Sequence, residues 1–233
     1  MLEGKKLRGF ETLIRMKLPD GTFISPGEFI PVAEKGNHIL SIDDYVLHRA
    51  MREFKDIVAE KNPELIVSVN VSAKNIGSQD FPERIKQIID ETGFPAKNLE
   101  IEITEYCMVQ SIRTTVENIK KLREMNIQVA LDDFGTGYTS LNYLSQMPVN
   151  LLKIDKSLID DIEQNRQKCE FVNAIIAMAH LMGCEVISEG VESELQLDKL
   201  KENNCDFIQG YVWGKPLPYE KAVSIATERK DAE

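Results

Sequence analysis

The chain has 233 residues, of which 42% are hydrophobic, and its formal net charge is −10. This composition supports a sizeable core and excludes global disorder. The acidic balance argues against non-specific binding to a nucleic acid polymer or an anionic membrane, since both require clustered Lys and Arg. No stretch of the sequence approaches the roughly 20 apolar residues of a membrane span.

The cysteines and the N-terminal segment indicate a cytoplasmic protein. The four cysteines show no CxxC spacing, which predicts free thiols in a reducing compartment. The segment MLEGKKLRGFE lacks the apolar run of a signal peptide. The length fits a single large domain, and we expect one domain over residues 1–233.

Short β-rich apolar runs alternate with longer segments of helical period along the chain. The predicted strands are residues 9–15, 65–71, 99–104, 127–132, 151–155, 185–189 and 206–210. The predicted helices are residues 42–60, 81–92, 110–125, 139–146, 166–182, 192–203 and 218–228. Ser41 is the expected N-cap of the first helix, and Gly93 is the expected glycine after the end of the second.

Alternating strands and helices predict an α/β fold, with parallel strands covered by helices. Two architectures fit seven such strands: a (β/α) barrel and a doubly wound sheet. The first strand is not followed by GxGxxG, which weakens the dinucleotide-binding version of the doubly wound sheet.

Nearly every predicted strand ends in a side chain that can bind a cation or carry a proton. In chain order these residues are Glu11 and Arg15, Asn70 and Ser72, Glu102 and Glu105, Asp132 and Asp133, Lys153 and Asp155, Glu189 and Glu192, and Gln209. In a parallel barrel all strands end at one face, which holds the active site. We therefore expect these residues to converge, although they are far apart in the sequence.

Five carboxylates gathered in one bowl would repel one another, and divalent cations would resolve that repulsion. Oxygen ligands without Cys or His favour Mg²⁺ or Mn²⁺ over Zn²⁺. Asp132 is the expected bridge between two metal ions and Asp133 a ligand of the second, a pair suited to displacement at phosphorus. Taken singly, each residue also has a structural interpretation: an Asp at a strand end is commonly a turn or cap residue, and Glu102 alternates with apolar neighbours. Five strands that end alike favour the site.

Several segments, in this order, resemble the EAL domain of bacterial cyclic di-GMP phosphodiesterases. They are GFETLIR, SPGEFIPVAE, SVNVS, LEIEITE, LDDFGTGYTSL, LLKID, SEGVES and QGYVWGKPLP, which together span about residues 9–218. The resemblance implies a TIM-like barrel that hydrolyses cyclic di-GMP to linear pGpG with two Mg²⁺ or Mn²⁺ ions.

The resemblance also implies a role for each matching residue. Glu11, Asn70, Glu102 and Asp132 would hold one metal ion, and Asp132, Asp133 and Glu189 the other. Lys153, Glu189 and Glu192 are expected in catalysis, with Lys153 beside the attacking water, and Leu13, Arg15 and Gln209 in substrate binding. Glu105 resembles the glutamate that braces the DDFGTGY loop. In the family this loop takes part in dimerisation, which predicts a homodimer through Asp133–Leu141.

The sequence departs from the family pattern at several points. The name motif reads ETL, and its Thr12 is expected to point away from the metal ions; Met16 replaces a usual tryptophan, and GKP replaces the commoner SRP after QGY. Family members also have an earlier strand with a Tyr-Gln-Pro motif. We therefore expect a barrel that lacks or replaces its first strand, in a piece of a longer protein with a sensor domain.

Two other functions stay open at this point. A catalytically impaired EAL domain would act as a cyclic di-GMP receptor or a protein-interaction module. An acidic barrel mouth would also suit an enzyme that acts on another phosphodiester or on a sugar phosphate.

Overall fold

The structure, a computed structural model, describes residues 6–137, 144 and 146–228. Its strands are β1 (Gly9–Thr12), β2 (Met16–Lys17), β3 (Phe23–Ile24), β4 (Ile66–Asn70), β5 (Leu99–Thr104), β6 (Gln128–Phe134), β7 (Leu151–Ile154), β8 (Glu185–Ser188) and β9 (Phe207–Ile208). Its helices are α1 (Pro26–Lys35), α2 (Ile39–Asp56), α3 (Ala73–Ile76), α4 (Phe81–Thr92), α5 (Cys107–Glu124), α6 (Lys156–Ile159), α7 (Arg166–Leu181), α8 (Glu194–Glu202) and α9 (Tyr219–Glu228). A π-helical turn (Ile57–Lys61) extends α2, and a 3₁₀ turn (Ala96–Asn98) precedes β5.

Seven strands form one parallel sheet in the order β1-β4-β5-β6-β7-β8-β9. Each new strand is added on the same side of the one before it, whereas a doubly wound sheet reverses its strand order. The sheet curls into an incomplete barrel, which confirms the predicted TIM-like α/β architecture. Strands β2 and β3 form a separate antiparallel hairpin.

Side chains from the two edge strands, β1 and β9, meet across the barrel opening. The Gln209 side chain, which follows β9, donates from Nε2 to Oε2 of Glu11 at 2.6 Å, although the two residues are 198 positions apart. The Arg8 guanidinium lies 5.0 Å from the ring centroid of Phe207. The sheet is therefore curved enough for its first and last strands to share one interior.

The interior of the barrel is layered. Buried Ala130, Leu151 and Ile187 pack with Phe207 in a small apolar cluster. On the strand-start side, fully buried Glu100 accepts hydrogen bonds from Arg8 Nη1 at 3.0 Å and from Ser68 Oγ at 2.6 Å. Ser68 lies two residues before Asn70, and Glu100 lies two residues before Glu102. Because alternate strand residues face the same side, each pair points into the barrel, one residue below the mouth and one at it.

The main hydrophobic core lies between the sheet and the surrounding helices. Helix α2 is representative: it buries Leu47, Ala50, Met51 and Phe54, a helical stripe three to four residues apart. The β-strands contribute fully buried Val67, Ile101 and Leu131 to the same core. Helices thus cover the outside of the sheet, and the barrel interior holds the small apolar cluster and the polar groups on either side of it.

The structure corrects some boundaries expected from the sequence. The first strand ends at Thr12 instead of residue 15, because the chain leaves the sheet to form the β2–β3 hairpin through a turn with Gly21 at φ +92°. Ser41 is not an N-cap, because α2 begins at Ile39 and His38 is the N-cap. Gly93 is confirmed after α4, with φ 68° and its N–H bonded to the Ile89 carbonyl at 2.7 Å.

Helix α1 was not predicted from the sequence; it begins with a capping box between Ser25 and Glu28 and has a proline in its first turn. The predicted helix at 139–146 lies outside the described residues except for positions 144 and 146. All four cysteines are free thiols, as predicted. Within the described ranges, no helix has the length and apolar character needed to cross a bilayer.

Candidate functional site

The polar strand ends converge at one mouth of the barrel, as expected from the sequence. Lys153 of β7 lies at the centre, with only 1% of its side chain exposed. Its Nζ lies 2.7 Å from Glu102 Oε2, 2.8 Å from Glu189 Oε1, 3.3 Å from Asp132 Oδ1 and 3.7 Å from Glu11 Oε2. One ammonium group therefore contacts carboxylates from four other strands or the segments that follow them.

The electrostatics of this cluster favour additional positive charge. Burial raises the pKa of Glu102 well above its ordinary value, and the Lys153 charge opposes this effect only in part. Burial also raises the pKa of Glu189 to about 7. For Lys153, burial alone would lower the pKa, but the surrounding carboxylates outweigh it and raise the pKa well above its ordinary range. A single lysine thus leaves the cluster short of cations.

Asp132 and Asp133 both face the mouth, although neighbouring strand residues normally point to opposite sides. The register between β6 and β7 shifts at a bulge after Leu131, and Asp133 adopts a left-handed conformation with φ 56°. The Asp133 N–H donates to Asp132 Oδ1 at 2.9 Å. This local irregularity turns two adjacent carboxylates towards the same space.

One group of three carboxylates has the spacing of a metal site. One ligand atom each from Asp132, Asp133 and Glu189 lie within 4.8 Å of one another. Burial, followed by the Asp132 charge, raises the pKa of Asp133, so its ionised form lacks sufficient compensation. An all-oxygen set that is partly desolvated and short of positive charge fits Mg²⁺ or Mn²⁺.

Two side-chain amides hold Glu11 in the mouth. Asn70 Nδ2 donates to Glu11 Oε1 at 2.7 Å, and Gln209 Nε2 donates to Glu11 Oε2 at 2.6 Å. The next residue, Thr12, points elsewhere, since its Oγ1 donates to the Ser68 carbonyl at 2.9 Å. The ETL variant of the motif therefore leaves the glutamate in its place.

Glu105 contacts the segment that follows Asp133. Glu105 is 3% exposed, and its Oε1 accepts the Gly135 N–H at 3.1 Å. Residues 138–141, the remainder of the expected dimerisation segment, lie outside the described residues.

Three of the predicted residues line the cleft but do not reach the carboxylate cluster. The cleft has a volume of about 1200 Å³ and is lined by Leu13, Arg15 and Glu192, together with Glu11, Glu102 and Glu189. Arg15 is exposed, and its Nη1 donates to the Ile14 carbonyl at 2.8 Å. Glu192 is also exposed and forms an ion pair with Lys156. These side chains surround the space in front of the cluster.

Three residues that line the cleft or support the site were not predicted from the sequence. Lys156 directly follows LLKID, so a basic residue after a polar strand end was the available signal. Trp213, the single tryptophan of the chain, lines the cleft. Buried Asp43 holds the chain just after Asn70, but it lies inside a helical pattern that gives no sign of this contact.

Comparisons with known proteins agree with this geometry. The family model of the EAL domain matches residues 1–216. The cyclic di-GMP phosphodiesterase NbdA of Pseudomonas aeruginosa is 38% identical over 208 residues, which are 89% of this chain and 27% of NbdA. Signaling protein YkoW of Bacillus subtilis is 38% identical over 225 residues, which are 97% of this chain and 28% of YkoW. The chain thus spans little more than a quarter of these relatives.

Solved structures share the fold over most of the chain. The PaMucR phosphodiesterase in complex with c-di-GMP superposes with a TM-score of 0.86 at 30% identity, covering 93% of this chain and 87% of that one. An EAL domain protein from Listeria monocytogenes gives a TM-score of 0.86 at 28% identity, covering 98% of this chain and 89% of that one. Family match, identity and architecture agree, and the chain belongs to the EAL domain family.

Proposed function

We propose that this chain is a metal-dependent phosphodiesterase that hydrolyses cyclic di-GMP to linear pGpG. The observation that carries the proposal is the convergence of five carboxylates from four strand ends around Lys153 at one barrel mouth. It is supported by relatives named as cyclic di-GMP phosphodiesterases and by a similar structure described as a c-di-GMP complex. The whole chain, residues 1–233, is proposed to act as one catalytic domain.

In this proposal two divalent cations, Mg²⁺ or Mn²⁺, share the carboxylates of the mouth. Glu11, Asn70, Glu102 and Asp132 would hold one ion, and Asp132, Asp133 and Glu189 the other. When bound, such ions lower the pKa of a coordinated water and offset charge on a phosphate. An Asn70 that ligates would use Oδ1, while its Nδ2 keeps the bond to Glu11.

The protein's own residues then bind and orient the phosphodiester. Lys153, whose ammonium is charged at neutral pH, would hold the attacking water or donate to a phosphate oxygen as negative charge develops. Arg15 would bind a second phosphate through its guanidinium, and Leu13 would pack against the nucleotide. Gln209 would hold Glu11 in place through its hydrogen bond. Glu192 would take part in catalysis beside Glu189 at the cleft rim.

The test is incubation of purified protein with cyclic di-GMP and Mn²⁺ or Mg²⁺, with pGpG followed by chromatography. Asp132→Asn should abolish turnover and weaken Mn²⁺ binding measured by calorimetry. Asp198→Asn on α8, an exposed aspartate outside the cleft, is the matched control and should behave as the parent. Folded protein that makes no pGpG, or an Asp132→Asn variant with unchanged activity, would overturn the proposal.

One observation favours the receptor alternative. The Lys153 ammonium already contacts four carboxylates, so part of the charge that a metal ion would neutralise is met by the protein itself. A receptor would bind cyclic di-GMP in the presence of a chelator and would make no pGpG after metal addition. Calorimetry beside the hydrolysis assay separates the two functions.

Assembly and location are part of the same proposal. A homodimer would form through Asp133–Leu141. The hydrogen bond between Glu105 and Gly135 would then lie beside the interface, so that the partner subunit could affect it. Sedimentation of the parent and of variants in that segment would test it. A cytoplasmic location and a sensor domain elsewhere in a longer protein complete the proposal, and both can be tested on the intact gene product.

A further inference from the structure

The turn after Gln209 carries aromatic side chains at the rim of the cleft. Tyr211 and Trp213 both line the cleft, and the two residues are 57% and 40% exposed. Exposed aromatic rings cost solvation free energy, and grouped exposed apolar surface commonly marks a binding site. Two such rings only two residues apart, beside the proposed catalytic centre, therefore indicate a ligand-binding surface.

The turn is held firmly to the strand end that bears Glu189. Val191 N–H donates to the Gln209 carbonyl at 3.1 Å, and Val212 N–H donates to the Val191 carbonyl at 3.0 Å. A Cβ on Gly210 would lie 2.2 Å from the Val191 carbonyl oxygen, so only glycine permits this approach. The Trp213 N–H closes the turn on the Gly210 carbonyl at 3.1 Å. The backbone that carries the aromatic residues thus has a fixed position relative to the strand end that bears Glu189.

A cation is placed next to the aromatic rings. Lys215 Nζ lies 5.4 Å from the Tyr211 ring centroid, a cation–π geometry. Guanine presents two acceptors on one edge, O6 and N7, to which lysine and arginine donate. An aromatic face combined with a lysine ammonium matches the chemistry of a stacked guanine base.

The position also fits the proposed substrate. A phosphodiester at the carboxylate cluster would direct its sugar and base outwards along the cleft wall. Gln209, which bonds to Glu11, is only two residues before Tyr211, a reach of about 7 Å along an extended chain. The rim turn is therefore within the length of one nucleotide from the cluster.

We propose that Trp213, with Tyr211 and Lys215, forms a stacking platform for one guanine base of cyclic di-GMP, so that this turn sets base specificity. The inference rests on the proposed function, because it takes the phosphodiester to lie at the carboxylate cluster. It adds residues that discriminate between nucleobases to a site whose charged residues are proposed to act on metal ions and phosphate.

Trp213 is the only tryptophan of the chain, so its fluorescence reports on this turn alone. The experiment titrates the parent protein with cyclic di-GMP in the presence of a chelator, which prevents turnover, and follows binding by calorimetry in parallel. Guanine stacking should quench the emission, whereas ribose 5-phosphate, which has the sugar phosphate without the base, should not. A pyrimidine cyclic dinucleotide should bind more weakly than cyclic di-GMP.

Variants distinguish a base contact from a structural role. Trp213→Ala should weaken cyclic di-GMP binding by roughly 10- to 100-fold. Trp213→Phe, which keeps an aromatic face, should restore most of the affinity. Mn²⁺ affinity should stay unchanged in both variants. Phe171→Ala on α7, another exposed aromatic residue but outside the cleft, is the matched control and should bind as the parent.

The outcomes separate this inference from the proposed function. Calorimetric binding of cyclic di-GMP with unchanged Trp213 emission, or equal affinity in Trp213→Ala, would overturn the platform even if pGpG is formed. Failure of the parent to bind cyclic di-GMP with or without Mn²⁺ would overturn the platform together with the proposed function. Quenching and weakened binding with no pGpG would support the platform and reject hydrolysis.

Discussion

The Nζ of Lys153 lies 2.7 Å from Glu102 Oε2 inside the barrel mouth, and the two side chains are only 1% and 2% exposed. Such a pair stabilises the fold only while both charges are present, because removing one leaves the other buried without compensation. Three further carboxylates lie within 4 Å of the same ammonium. Lys153 is thus an internal counter-ion for the groups proposed to bind metal ions.

Lys153→Met should abolish phosphodiester hydrolysis and destabilise the metal-free protein by about 3–5 kcal/mol, because the buried carboxylates lose their counter-ion. Mn²⁺ should recover much of that stability by supplying new positive charge. Thermal unfolding with chelator and with Mn²⁺ measures the difference, which should be larger in the variant than in the parent. Lys156→Met, at a rim lysine whose side chain is 46% exposed, is the control and should change stability little. Equal Mn²⁺ stabilisation of parent and Lys153→Met would contradict this account.

The stability of the metal-free protein should fall as pH rises from about 4.5 to about 7. The pKa of Glu189 is raised from 4.5 to about 7, chiefly by burial, so the folded state binds this proton more tightly than the unfolded chain does. The stabilisation is complete below the unfolded pKa and is lost as pH rises through the folded pKa, by roughly 3 kcal/mol. Chemical denaturation in chelator across this range measures it.

Two variants test the origin of that pH dependence. Glu189→Gln should make the fall in stability smaller, with the rest coming from Glu102 and Asp133, whose pKa values are also raised, whereas Glu192→Gln, at an exposed position three residues later, should keep the parent profile. Bound Mn²⁺ should also remove the fall in stability with rising pH, because metal ions compete with protons for carboxylates. A profile that is the same in the parent and in Glu189→Gln would assign the effect to other groups.

Periodicity in the sequence predicted the parallel α/β strands and the carboxylate cluster, whereas the choice of a barrel over a doubly wound sheet came from the resemblance to the EAL domain. Alternation along strands predicts that Glu100 and Glu102 share a face, and the parallel order predicts that the strand ends meet. The bulge that turns Asp133 beside Asp132 could not be predicted, since it arises from the register between β6 and β7. Likewise, no local pattern shows that Lys153 contacts four carboxylates, because the curvature of the sheet brings them together.

Boundaries were predicted less well where short-range hydrogen bonds compete with the apolar pattern. LIR after Thr12 has the composition of a strand, but a glycine turn draws the chain into the β2–β3 hairpin. Helix α1 has few buried residues, so periodicity alone was a weak signal, whereas its Ser25–Glu28 capping box was present in the sequence.

Asp43→Ala should destabilise the protein by about 2–4 kcal/mol, because three donors lose their acceptor. Asp43 Oδ2 accepts from Ser72 N at 2.9 Å, Ser72 Oγ at 2.6 Å and Asn75 Nδ2 at 2.8 Å. Ser72 follows Asn70 by two residues, so Mn²⁺ affinity should fall as well. Denaturant unfolding and calorimetry measure the two effects.

The neighbouring residue supplies the control for Asp43. Asp44 has a side chain that is 37% exposed and a long ion pair with Arg84 at 3.8 Å, so Asp44→Ala should cost less than about 1 kcal/mol. Similar losses of unfolding free energy in Asp43→Ala and Asp44→Ala would show that the Asp43 hydrogen bonds do not hold the segment after Asn70.

Glu105→Ala should lower kcat by roughly 10- to 100-fold, because the Gly135 N–H loses its acceptor and the backbone after Asp133 shifts. Glu105→Gln keeps an oxygen for that N–H and should retain more activity. Hydrogen exchange of the Gly135 amide should quicken in Glu105→Ala and change less in Glu105→Gln. Glu117→Ala, an exposed glutamate on α5, controls for loss of surface charge. If kcat falls equally in both Glu105 variants while Gly135 exchange is unchanged, the carboxylate acts through its charge and not through this hydrogen bond.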